Sequence, residues 1–81
     1  MVDEFIKESL SRYVEHRISP GGFLTAVLEN NLMEAVGRAD AINMRNLHEI
    51  SKYVYNELPS NVWGSREKVE KHLSGEQLKE N

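Results

Sequence analysis

Apolar residues recur along this chain at helical spacing, and short polar or Gly/Pro-bearing segments separate the runs. Ile6, Leu10, Tyr13 and Val14 form the first stripe, with Phe5 beside it and Lys7, Glu8, Arg12 and Glu15 on the other side, which predicts an amphipathic helix from about Asp3 to Arg17. Asp3 is a suitable N-cap, and the acids at 3 and 4 face the positive end of the helix dipole. Ser19-Pro20-Gly21-Gly22 then predicts a helix start, with Ser19 as N-cap and Pro20 at the first helical position, followed by Phe23, Leu24, Val27 and Leu28. Asn30-Asn31 is either a break, with Asn31 and Glu34 restarting a third helix through Leu32, Met33, Ala35 and Val36, or part of one helix that continues to Ala39. From an Asp40 cap, Ile42, Leu47, Ile50, Val54 and Leu58 predict one long helix to about Glu57, which Pro59 ends because a residue preceding proline is pushed out of the helical region. Ser65 caps a last helix with Val69 and Leu73 inward, Gly75 stops it, and the polar segment 76–81 is expected to fray. No alternating strand pattern competes.

The expectation is therefore an all-α fold, a compact bundle of four or five short helices in one domain spanning residues 1–75. Its core should hold Ile6, Leu10, Val14, Phe23, Leu24, Val27, Leu28, Val36, Leu47, Ile50, Val54, Trp63, Val69 and Leu73. A chain of 81 residues buries only about 60% of the surface its unfolded form exposes, so a homo-oligomer is a ready source of added stability.

Charge and composition narrow the function. Ten Lys and Arg against thirteen Asp and Glu give a net charge of −3, interspersed along the chain. That argues against nucleic acid as the main partner, because duplex binders carry a basic stripe or a pI above about 9. With no Cys, disulfides and thiolate metal sites are excluded. No apolar run approaches the ~20 residues of a membrane span, and Met-Val-Asp-Glu-Phe-Ile-Lys-Glu carries no apolar leader core. These features predict a cytoplasmic protein that does not enter a membrane.

Candidate chemistry is sparse. His16, His48 and His72 fit no metal-binding spacing and are expected on helix surfaces. The serines are accounted for by caps, turns and exposed faces, so no nucleophile with a positioned base emerges. The chain is expected to be no enzyme and to need no metal or cofactor. Two binding surfaces suggest themselves. Helix N-termini present free N–H groups and glycines admit a phosphate, so Gly21 and Gly22, with Arg12, Arg17 and Arg38 as clamps and Tyr13 as a stacking ring, would form a nucleotide site at the Ser19–Phe23 turn. The other meaning of this turn is a tight connection between packed helices. Arg38 and Asp40 likewise serve either a groove shared with Asn43 and Arg45 or a capping network in which Asp40 accepts from residue 42 or 43. Tyr53 and Tyr55 cannot both face inward from one helix, so they and Trp63 are candidate interface residues, with Trp63 also able to fasten the last helix.

The segments Tyr-Val-Glu-His-Arg-Ile-Ser-Pro-Gly-Gly-Phe-Leu-Thr-Ala-Val-Leu-Glu-Asn-Asn-Leu (13–32), Gly-Arg-Ala-Asp (37–40) and Tyr-Asn-Glu-Leu-Pro with Trp-Gly-Ser (55–65) resemble a group of short phage and prophage reading frames. The resemblance spans roughly residues 10 to 73. It implies a small viral accessory protein made in the cytoplasm of a bacterial host. Such a protein would act by binding and modulating a host protein or, alternatively, by sequestering a phosphate-bearing nucleotide signal.

Overall fold

The computed structural model describes residues 2–75 and is all-α, with no strand among them; the expected fraying of 76–81 lies outside the described residues. Six helices follow in order: α1 (Glu4–His16), α2 (Gly22–Leu28), α3 (Leu32–Arg38), α4 (Ala41–Arg45), α5 (Leu47–Glu57) and α6 (Arg66–Ser74), with a 3-10 turn at Ser60–Val62 before the last. None of these helices is long and apolar enough to cross a membrane.

Local chemistry sets most of the boundaries. Asp3 accepts from the Phe5 N–H at 2.7 Å, Asn31 from Glu34 at 3.2 Å, Asp40 from Asn43 at 2.7 Å and Ser65 from Lys68 at 3.2 Å. Each bond satisfies a donor that the first turn leaves without an intrahelical partner. Residues 20–39 thus form two helices, divided where Asn30 turns left-handed at φ 62. Asp40 serves the capping network, and Arg38 pairs with Glu34 at 2.6 Å.

Two boundaries differ from expectation. The second helix starts at Gly22, with Gly21 and not Ser19 at its N-cap, because Gly21 adopts φ 97, which a residue with a Cβ resists. Ser19 and Pro20 belong to the extended link instead, where the Gly21 N–H reaches Ser19 Oγ at 3.4 Å. The expected long helix from Ala41 to Glu57 is two helices. At Asn46 (φ −101, ψ 8) the backbone leaves helical geometry: its N–H is shared between the Ile42 and Asn43 carbonyls at 3.2 and 3.1 Å, and its side-chain amide donates to the same Ile42 carbonyl at 3.0 Å. Five of the six helices have seven or more residues, and the sixth, the five-residue α4, arises from this break.

The core draws on α1, α2, α3, α5, α6 and the 3-10 turn, and Leu10, Tyr13, Leu28, Ile50 and Val69 are its fully buried large side chains. Each such burial contributes roughly 1.5–3 kcal/mol. Val14, Val27, Leu47, Trp63 and Leu73 pack at its margin. Val36 is a correction: it stands on the exposed side of α3, because Ala35 is the residue that turns inward. Val2, Ala26 and Val62 complete the core.

His72 is the second correction, since it is buried and not on a surface. Its Nε2 lies 2.7 Å from the Tyr13 carbonyl oxygen, which can only accept, so the proton sits on Nε2. Nδ1 is left to accept from Arg17 Nη1 at 2.8 Å, and the same nitrogen of Arg17 donates to the His72 carbonyl at 3.2 Å. The Tyr13 and His72 rings meet edge to face at 4.6 Å, and the Tyr13 hydroxyl donates to the Val62 carbonyl at 2.7 Å. Together with the Gly64 N–H to Leu28 carbonyl bond of 2.7 Å, this cluster joins the end of α1 to the turn before α6 and to α6 itself.

Candidate functional site

The six residues of the expected nucleotide site do not converge. Gly21, Gly22 and Arg38 line one groove of about 450 Å³ with Ser19, Thr25, Glu29, Asn31, Glu34 and Arg66. Arg12 is elsewhere, reaching Ser9 Oγ at 3.4 Å. Tyr13 cannot stack on a ligand base, because its ring is wholly inside the core and its hydroxyl is engaged with Val62. Burial, then the negative charge of Glu29, pushes the Tyr13 phenol up to about 12. Arg17 is held on His72. The stripe that carries Ile6 and Leu10 inward carries Tyr13 inward too, so the ring's helical position was the available signal.

Within the 450 Å³ groove the charges balance. Arg38 is bound to Glu34, Arg66 Nε to Glu70 at 2.9 Å, and Glu29 and Glu34 face the same space. The bond to Glu70 and its charge, with Glu29 adding to them, strengthen the proton affinity of the Arg66 guanidinium. An entering phosphate would meet two carboxylates and two arginines already paired, without the unopposed positive charge that phosphate recognition uses. Gly22 has a role inside the fold: a Cβ there would lie 3.1 Å from Arg38 Nη1, so the glycine makes room for that side chain. Among the described residues no group of His, Asp or Glu is placed to hold a metal ion.

A second groove, of about 230 Å³, has a different character. It runs between the start of α1 and α4, with Ile6 and Ile50 in its lining, Phe5 and Ile42 beside them, and Asp3 and Asp40 at its polar edge. Phe5 is 67% exposed and Ile42 62% exposed, high values for side chains of this size. Ile42 lies on α4, which buries none of its residues. The five-residue step from Ile42 to Leu47, which fits neither helical neighbour spacing, was the sequence signal for the break at Asn46. Asp3 and Asp40 are helix caps that accept one backbone bond each.

The expected aromatic surface divides. Tyr55 is 72% exposed and stands edge to face with Trp63 at 5.8 Å, while Trp63 is half-buried and its indole N–H reaches the Leu58 carbonyl at 3.3 Å. Trp63 therefore fastens the segment before α6. Tyr53 is half-buried, with Lys7 Nζ 5.8 Å from its ring centre.

Fold and surface together define a small all-α protein with one apolar, acid-edged groove and one charge-balanced polar groove. Comparison with family models, with curated proteins and with solved structures returns no match.

Proposed function

We propose that this chain is a non-enzymatic accessory protein of phage type that binds and modulates a host protein in the bacterial cytoplasm, using the groove between α1 and α4. The observation that carries the reading is the pair of exposed side chains Phe5 and Ile42 beside the apolar Ile6 and Ile50, with Asp3 and Asp40 alongside. Exposed aromatic and large aliphatic groups around a concave apolar surface are what interface cores are made of. The acidic edge favours a partner that presents a large apolar side chain next to Lys or Arg.

The test is affinity capture from bacterial lysate with the parent and with Phe5→Asp and Ile42→Asp. Both side chains are exposed, so the variants are expected to keep the parent's circular dichroism and melting behaviour. A host protein recovered by the parent and lost with both variants supports the reading. Recovery of the same protein by all three chains, or of none by the parent, removes it.

A further inference from the structure

The surface of α3 turned away from the core has no role in the α1–α4 groove. Ala35 is buried, which fixes the inward direction of this helix, and Met33 and Gly37, one turn apart, consequently point away from the body of the protein. Met33 is 77% exposed. Leu32 and Val36, both exposed, occupy one flank of this ridge, and the Glu34–Arg38 pair occupies the other.

Gly37 is unexplained by the monomer. It lies inside the helix without a positive φ, and a Cβ built there meets no atom within 4 Å. Every residue except proline makes a better helix than glycine, so a glycine that neither turns the chain nor admits a neighbour weakens α3 with nothing in return.

We propose that α3 is the contact of a twofold-symmetric homodimer, in which Met33 of each copy sits over Gly37 of the other. The argument for a second copy is self-complementarity. A twofold axis across α3 reverses the chain direction and keeps each flank on its own side. Met33 then lies over the missing side chain of the partner's Gly37, and the reciprocal contact forms at the same time. The charged flanks meet head to tail, so Glu34 faces the partner's Arg38 and Arg38 the partner's Glu34. On the other flank Leu32 meets the partner's Val36 and Val36 the partner's Leu32. One helix thus carries the projection, the gap, the acid and the base that the pairing needs. An interface centred on seven residues is small against the ~800 Å² per partner of a standard contact, so weak association is expected.

Sedimentation equilibrium of the full chain across micromolar to millimolar concentration is expected to move from the 9.3 kDa monomer to twice that mass. Gly37→Gln, a good helix former that fills the gap, should weaken association at least tenfold and raise the melting temperature measured at monomeric dilution. A purely structural glycine would not give both changes. Glu34→Arg and Arg38→Glu should each weaken the dimer, and the two combined should restore it. A parent that stays monomeric throughout overturns the proposal. So does a dimer whose association is unchanged by Gly37→Gln, or one that the combined charge exchange fails to restore. The groove variants Phe5→Asp and Ile42→Asp are expected to dimerise like the parent, which separates this contact from the proposed binding groove.

Discussion

Arg17 is the residue whose removal tests the architecture most directly. Its guanidinium makes two bonds to His72, 2.8 Å to Nδ1 and 3.2 Å to the carbonyl oxygen, while its own backbone sits left-handed at φ 57 to close α1. Hydrogen bonds from a charged donor contribute about 1.5–3 kcal/mol. Because Arg17 is half-buried, water replaces part of that, and a net loss of about 2 kcal/mol for Arg17→Ala follows. The backbone supplies an internal control. A left-handed residue with a Cβ is less stable than glycine there by about 1 kcal/mol, so Arg17→Gly should lose only about half as much as Arg17→Ala. Against a total stability of roughly 4–12 kcal/mol for a domain of this size, neither variant unfolds outright. At roughly 4–8 °C per kcal/mol, the alanine variant should melt about 8–16 °C below the parent and the glycine variant about half as far below. Urea titration followed by circular dichroism gives the free energies, and a double-mutant cycle with His72→Ala isolates the pair, with a coupling of at least about 1 kcal/mol expected. The reasoning fails if Arg17→Ala lies within about 0.5 kcal/mol of the parent, if Arg17→Gly is more stable than the parent, or if the coupling vanishes.

Three further outcomes follow from the core and the grooves. Tyr13 holds its proton to about 12 when folded and releases it near 10.0 when unfolded. The stability linked to this group is therefore complete below pH 10.0 and is lost between there and about pH 12, and Tyr13→Phe should flatten that decline in alkaline denaturation while lowering stability at neutral pH by about 1–3 kcal/mol for the bond to Val62. Gly21→Ala should cost about 1 kcal/mol because of its φ of 97, whereas Gly22→Ala meets only the flexible Arg38 side chain and should stay within about 0.5 kcal/mol of the parent in the same titration. Leu28→Ala, which empties a fully buried site, should cost about 2–5 kcal/mol in urea and lower the melting temperature more than Arg17→Ala does.

The fold was legible where its determinants are local. Asp3, Asn31, Asp40 and Ser65 bond to N–H groups two or three residues ahead, and Pro59 acts on its neighbour, so sequence spacing alone carries these boundaries. The break at Asn46 escaped because the apolar positions on either side each keep helical spacing, and only the five-residue step from Ile42 to Leu47 marks the join. The candidate site was legible in one part and not in another. Gly21, Gly22 and Arg38 do come together, since α2 and α3 are adjacent in sequence and are the most closely packed helix pair. Arg17 and His72 lie 55 residues apart, and neither side chain announces the other, so an arginine before a glycine-rich turn reads as a ligand clamp and a helical histidine as a surface group. The groove between α1 and α4 was hidden for the same reason, because Phe5 and Ile42 stand on helices far apart in sequence and only the fold sets them side by side.

The cluster of Tyr13, Arg17, Val62 and His72 also has a kinetic consequence. Its bonds span 49, 55 and 59 residues, whereas the α2–α3 contact needs only the short turn at Asn30-Asn31. Closing the long loop loses chain entropy before any of those bonds forms, so the hairpin of α2 and α3 is expected early and the closure of α6 onto α1 late. Substitutions at Arg17 or His72 should then leave the folding rate near that of the parent and speed unfolding, while Leu28→Ala slows folding. A slower folding limb for Arg17→Ala in stopped-flow measurements would reverse that order. The residues that shut the bundle would thereby set how long a folded molecule lasts, with little influence on how quickly it forms.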